Sequence, residues 1–152
     1  TLTATLIPVG GGTTVTMQTR DLDGDGPNAP VVTVSSDLVA NTVYNGSLVL
    51  LNETESPAGE INEEIVEESN DHQFFYNVTN SIATFTYEDF DDNGNPLGLE
   101  FTLTTAATAM TGNLTITLRH EPSKNAVGVS DGDITNAGGE TDVQAIFPVV
   151  IQ

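Results

Sequence analysis

Residues 83–104 read A-T-F-T-Y-E-D-F-D-D-N-G-N-P-L-G-L-E-F-T-L-T. Phe85 and Tyr87 alternate with Thr84, Thr86 and Glu88. Beyond a polar segment, Leu99, Phe101 and Leu103 alternate with Glu100, Thr102 and Thr104. Successive side chains of a strand point to opposite faces, so a period of two gives each run one apolar face. Two such runs on either side of Asn93-Gly94 predict a β-hairpin with one side buried.

The same alternation recurs along the chain. Leu2, Ala4 and Leu6 alternate with threonines in residues 1–7, and Val15 and Met17 do so in residues 14–18. A short strand is expected over 31–35. Residues 43–51 are more continuously apolar, which predicts a central strand. Residues 72–78 read as a strand, as do residues 113–120, where Leu114, Ile116, Leu118 and His120 share one phase. Val143, Ala145, Phe147, Val149 and Ile151 share a phase in 142–151. Pro148 has no amide hydrogen, which places that strand at a sheet edge or a bulge. Residues 52–71 break the rhythm. Ile61 and Ile65 lie four apart among Glu63, Glu64, Glu67 and Glu68, which predicts one or two helical turns. Residues 106–112 and 121–139 read as loops. Eight or nine short strands with frequent turns and almost no helix predict an all-β fold. The expected architecture is a single antiparallel two-sheet sandwich, Ig-like, over residues 1–152, with a closed barrel as the alternative.

Charge narrows the function. Twenty-two acids against three Lys plus Arg give a net charge of −19. Such a surface repels nucleic acid and anionic headgroups and favours cations or basic partners, or it serves solubility alone. The chain has no Cys, hence no disulfide, thiol catalysis or Cys-bound zinc. It has no apolar run long enough to span a membrane. It opens on T-L-T-A-T-L-I without Met, which suggests a processed start. A nucleophile motif, a phosphate loop and a Trp to stack a sugar are all missing from the sequence, so the expectation is a non-enzymatic protein.

Three constellations could hold a cation. Asp89, Asp91, Asn93 and Glu100 fit the D-x-D-x-[DN]-G-x5-E spacing of a calcium loop, whose alternate oxygens curl around Gly94. Strands flank it instead of helices, Pro96 restricts the wrap, and a plain acidic turn is the other reading. Asp21, Asp23 and Asp25 begin a second loop of the same type. Val32 stands at its twelfth position, so a further ligand would have to come from Asp131, Asp133 or Asp142. His72 and His120 end two predicted strands, with Glu67, Glu68, Asp71 and Glu121 nearby. If those strands are neighbours, the imidazoles meet and bind a transition metal with a carboxylate; otherwise they are hydrogen-bonded strand ends. Calcium is the first cofactor candidate and a transition metal the second.

Several segments carry a family resemblance. They are T-L-T-A-T-L-I-P-V-G-G-G-T-T-V from Thr1, R-D-L-D-G-D-G-P-N from Arg20, Y-N-G-S-L-V-L-L-N-E-T from Tyr44, D-H-Q-F-F-Y from Asp71, L-T-I-T-L-R-H-E-P from Leu114 and G-G-E-T-D-V-Q-A-I-F-P-V-V-I-Q from Gly138. Together they resemble small exported surface lipoproteins of flavobacteria and related Bacteroidetes. Some members of that family are labelled as type 1 periplasmic binding folds, an α/β architecture that this all-β pattern does not resemble. The resemblance implies a location at the outer membrane or cell surface. It also implies a lipid anchor and acidic tether upstream of the first strand, and association with TonB-dependent outer-membrane receptors. Two functions follow as expectations. One is a cell-surface binding or accessory module. The other is a structural subunit that polymerises with copies of itself by donating a terminal strand.

Overall fold

In the computed structural model, which describes residues 1–24 and 26–152, the apolar phases become the inner faces of two sheets. The strands are β1 (Leu2–Pro8), β2 (Val15–Arg20), β3 (Val31–Val34), β4 (Val43–Asn52) and the two-residue β5 (Gly59–Glu60). One helix, α1 (Asn62–Glu67), follows. Then come β6 (His72–Val78), β7 (Ala83–Tyr87), β8 (Glu100–Thr105), β9 (Met110–His120) and β10 (Glu140–Ile151). The larger sheet runs β3-β2-β1-β4-β8-β7, with β5 paired to β4; the smaller runs β10-β9-β6. All these strand pairs are antiparallel. The order β1-β4-β8-β7 facing β10-β9-β6 is the arrangement of an immunoglobulin constant-type sandwich. Here β2 and β3 extend it beyond the first strand.

The predicted hairpin pairs as expected, with Tyr87 opposite Phe101 and Phe85 opposite Leu103. The continuously apolar β4 lies between β1 and β8, as its composition predicts. β1 is paired on both sides: Thr5 stands against Thr16 of β2 and Ser47 of β4. Residues 110–112, expected in a loop, are strand, because the last residues of β10 take them as partners, Ile151 against Met110. The small sheet ends at β10, an edge that suits Pro148.

One continuous core joins the sheets, from Leu2, Leu6 and Met17 through Leu48 and Phe101 on one side to Phe74, Ile116 and Phe147 on the other. Full burial of each large apolar side chain stabilises the fold by about 1.5–3 kcal/mol. Gly46 of β4 lies opposite Phe101 of β8. A Cβ built on Gly46 would clash with the Cδ2–Cε2–Cζ edge of the Phe101 ring. The glycine is therefore there for close approach. Gly46→Ala should overpack this contact and cost about 1–3 kcal/mol, read as a lower urea midpoint at unchanged slope.

Candidate metal centre

The register of the small sheet creates this site. β6 pairs with β9 so that His72 stands directly opposite His120. Side chains opposite each other across a strand pair share one face. Here that face is the inner one, continued by Phe74 and Leu118. The histidines therefore end the core row at one end of the sandwich, with ring centroids 4.8 Å apart at 69°.

The third group comes from an irregularity in β10. Thr141 pairs with Arg119 and Val143 with the next residue, Leu118, so Asp142 is the extra residue of a β-bulge. A bulge re-aims the side chain it carries. Asp142 Oδ2 lies 3.6 Å from His72 Nε2 and 3.5 Å from His120 Nδ1. Among the described residues, this is the one group of three or more His, Cys, Asp or Glu side chains whose donor atoms converge, all within 4.8 Å of one another.

The orientation of His72 is fixed from behind. Its Nδ1 lies 3.1 Å from the Glu68 carbonyl oxygen. A carbonyl only accepts, so Nδ1 carries the proton and Nε2 presents its lone pair to the site. A backbone carbonyl behind a histidine is the support that metal-binding histidines use. Bonds of 2.0–2.2 Å in a tetrahedral site put neighbouring ligand atoms about 3.3–3.5 Å apart. The Asp142 separations of 3.5 and 3.6 Å are close to that, and the two histidine nitrogens, within 4.8 Å of each other, would draw together on binding.

The segment leading into His72 is also fixed. Its 3-10 turn, Ser69–Asp71, is gripped by the chain's single lysine. Lys124 Nζ donates to the Ser69 carbonyl at 2.7 Å, to Asp91 Oδ2 at 2.9 Å and to the Pro96 carbonyl at 3.1 Å. All three ammonium hydrogens are thus used, in a site where both charged side chains are buried.

This lysine bears on the hairpin loop, whose spacing suggested calcium. Asp91 Oδ1 accepts from the amides of Asn93 at 2.9 Å and Asn95 at 2.8 Å, while Oδ2 takes Lys124. Asp89 accepts from the amides of Gly98 at 2.7 Å and Leu99 at 3.0 Å. Asn93 donates its side-chain amide to Asn70. Glu100 begins β8 as an exposed residue, and burial followed by the charge of Asp89 raises its carboxyl above the usual value. The loop does not bring these four side chains together, and Lys124 supplies the positive charge at Asp91.

The first acidic loop is held by local hydrogen bonds. Asp21 accepts from the amides of Asp23 and Gly24. Asp23 accepts from Asn28, whose side-chain amide holds the Asp23 carboxyl below its ordinary value. Asp25 lies outside the described residues. Of the three acids considered for completing this loop, Asp142 borders the same cavity as Asp21, about 270 Å³ in volume. Asp131 and Asp133 border other cavities.

The sequence points to both histidines, offers Asp142 only as a further ligand for the Asp21 loop, and gives Lys124 no role. Asp142 stands 22 residues beyond His120, farther off in the chain than Asp71 and Glu121, and only the pairing of β10 with β9 brings it back. A lone lysine among 22 acids was the available signal for the clamp. No family model matches the chain, and no curated protein or solved structure is significantly similar to it.

Proposed function

We propose that this protein is a non-enzymatic binding module, exported to the cell surface, that takes a first-row transition metal ion at His72, His120 and Asp142. It would act as an accessory to an outer-membrane receptor. The observation that carries the reading is the bulge that turns Asp142 onto a histidine pair already set by register. Two imidazole nitrogens and one carboxylate suit zinc, nickel, copper or iron better than calcium, which asks for six to eight oxygens. The strongly acidic surface draws cations toward the site. Export and receptor association rest on the family resemblance. Strand donation by β1 would require that strand to leave two partners at once, so a monomeric module is the better reading, testable by native mass.

Zinc titration into chelator-stripped protein is the direct test. One equivalent should bind, and His120→Gln or Asp142→Asn should each weaken it by more than about 100-fold. Losing even a supporting contact behind a ligand costs 10–100-fold. Bound zinc should also raise the melting temperature, since an ion at 100 times its Kd adds about 2.7 kcal/mol to the folded state. Equal zinc affinity in wild type and both variants, with unchanged circular dichroism, would reject this site.

A further inference from the structure

We infer that an ion held by His72, His120 and Asp142 keeps one coordination position open to solvent, and that this position selects a neutral nitrogen donor over an anion. The inference rests on the metal reading above. The chain offers three donors, and the described residues contribute no fourth His, Cys, Asp or Glu to the group. Four-coordinate sites with three protein ligands leave the fourth position to water or an outside ligand. The direction of approach follows from exposure: the His72 side chain is 6% exposed, against 42% for His120 and 37% for Asp142. An incoming group therefore reaches the ion on the side of His120 and Asp142, with His72 at its back.

The surroundings set which ligand is accepted. Asp71 immediately precedes His72, and Glu121 immediately follows His120. Glu140 stands opposite His120 in the strand register. Glu68 supplies the carbonyl behind His72. Beyond these, the whole chain carries −19. One divalent ion with one carboxylate ligand leaves a single positive charge; Asp71, Glu121 and Glu140 adjoin its ligands in the chain or the register, against one neighbouring cation, Arg119, which donates to Thr141. An anion approaching that position meets repulsion that the ion offsets only in part, whereas imidazole meets none.

Cobalt(II) makes the open position visible, because its visible absorption changes with coordination number and ligand type. Protein loaded with one equivalent of cobalt(II) would be titrated separately with imidazole and with azide. Imidazole should alter the spectrum at a concentration at least tenfold lower than azide. In Glu121→Gln and Glu140→Gln, which leave the three donors in place, that preference should narrow as azide binds more tightly. A cobalt spectrum that neither reagent alters would mean the position is closed. A preference unchanged in both Glu variants would mean that the surrounding charge does not select. Either result overturns the inference while leaving the metal reading intact. Absence of any protein-bound cobalt spectrum would overturn both.

Discussion

Lys124→Met is expected to cost about 3–5 kcal/mol, as breaking a buried ion pair does when one charge is left without its partner. The Lys124 side chain is 4% exposed and that of Asp91 0%. Removing the ammonium strips the counter-charge from Asp91 and leaves the Ser69 and Pro96 carbonyls without this donor. Methionine fills much the same volume, so the loss reports charge and hydrogen bonding more than packing. Adding Asp91→Asn to Lys124→Met removes the stranded charge, and the double variant should be more stable than Lys124→Met alone. Acid provides a second check. Burial pushes the Asp91 carboxyl up, but the Lys124 ammonium and the amides of Asn95 and Asn93 more than offset this and hold it below its ordinary value. A carboxyl depressed in the folded state binds fewer protons there than in the unfolded chain. Its contribution is therefore present above the unfolded value of about 3.9 and is lost as pH falls below it. Urea midpoints at pH 7 and pH 3 should converge between wild type and Lys124→Met. A gap that stays the same at both pH values would show that the loss does not come from the Asp91 charge.

That clamp also bears on the candidate metal centre. Lys124 holds the Ser69 carbonyl three residues before His72, and the same segment supplies the Glu68 carbonyl behind the imidazole. The lysine touches none of the three donors, so its effect on them is one of position. Zinc affinity in Lys124→Met should fall less than in His120→Gln. The residual effect would measure how far the 3-10 turn, and not the strand register alone, sets the orientation of His72.

Local pattern made most of the sandwich legible. The period of two around Phe85, Tyr87, Phe101 and Leu103 specifies which face of each strand is buried, because a one-residue slip would turn all of them outward. The same alternation in residues 113–120 placed His120 on the inner face with Leu114, Ile116 and Leu118. What local pattern does not contain is which strands are neighbours. That His72 and His120 face each other depends on the pairing of β6 with β9 across residues 79–109. That Asp142 reaches them depends on one extra residue in β10, which leaves no mark on alternation beyond a slip at Thr141. Calcium-loop spacing could be read in the hairpin turn because Asp, Asn and Gly also build turns. The Asp89 and Asp91 carboxylates there bind backbone amides, as turn residues do.

Phe101→Ala should cost about 3–5 kcal/mol, the range for removing a fully buried Phe. Phe101 is 1% exposed and sits at the junction of the two sheets. Its ring centroid lies 4.4 Å from that of Tyr76 on β6 and 5.8 Å from that of Phe85 on β7. Tyr76 in turn stacks on Phe85 at 4.8 Å and 9°. The cavity left by the ring cannot be filled from the facing strand, because Gly46 has no side chain to move into it. The surrounding aromatics are themselves anchored: Tyr76 donates to the Gly98 carbonyl, and Tyr87 donates to the Phe74 carbonyl at 2.7 Å. Poor collapse places the loss toward the upper end of the range. Gly46 and Phe101 compete for one space. Each single change is destabilising for an opposite reason, one by crowding and one by emptying the same space. Gly46→Ala combined with Phe101→Ala should then cost less than the sum of the two, by about 0.5–3 kcal/mol of coupling as seen for residues in contact. Urea unfolding of the four proteins at one pH measures the cycle. A single-variant loss under about 1 kcal/mol, or strict additivity in the double variant, would mean that Phe101 does not fill the space that Gly46 leaves open.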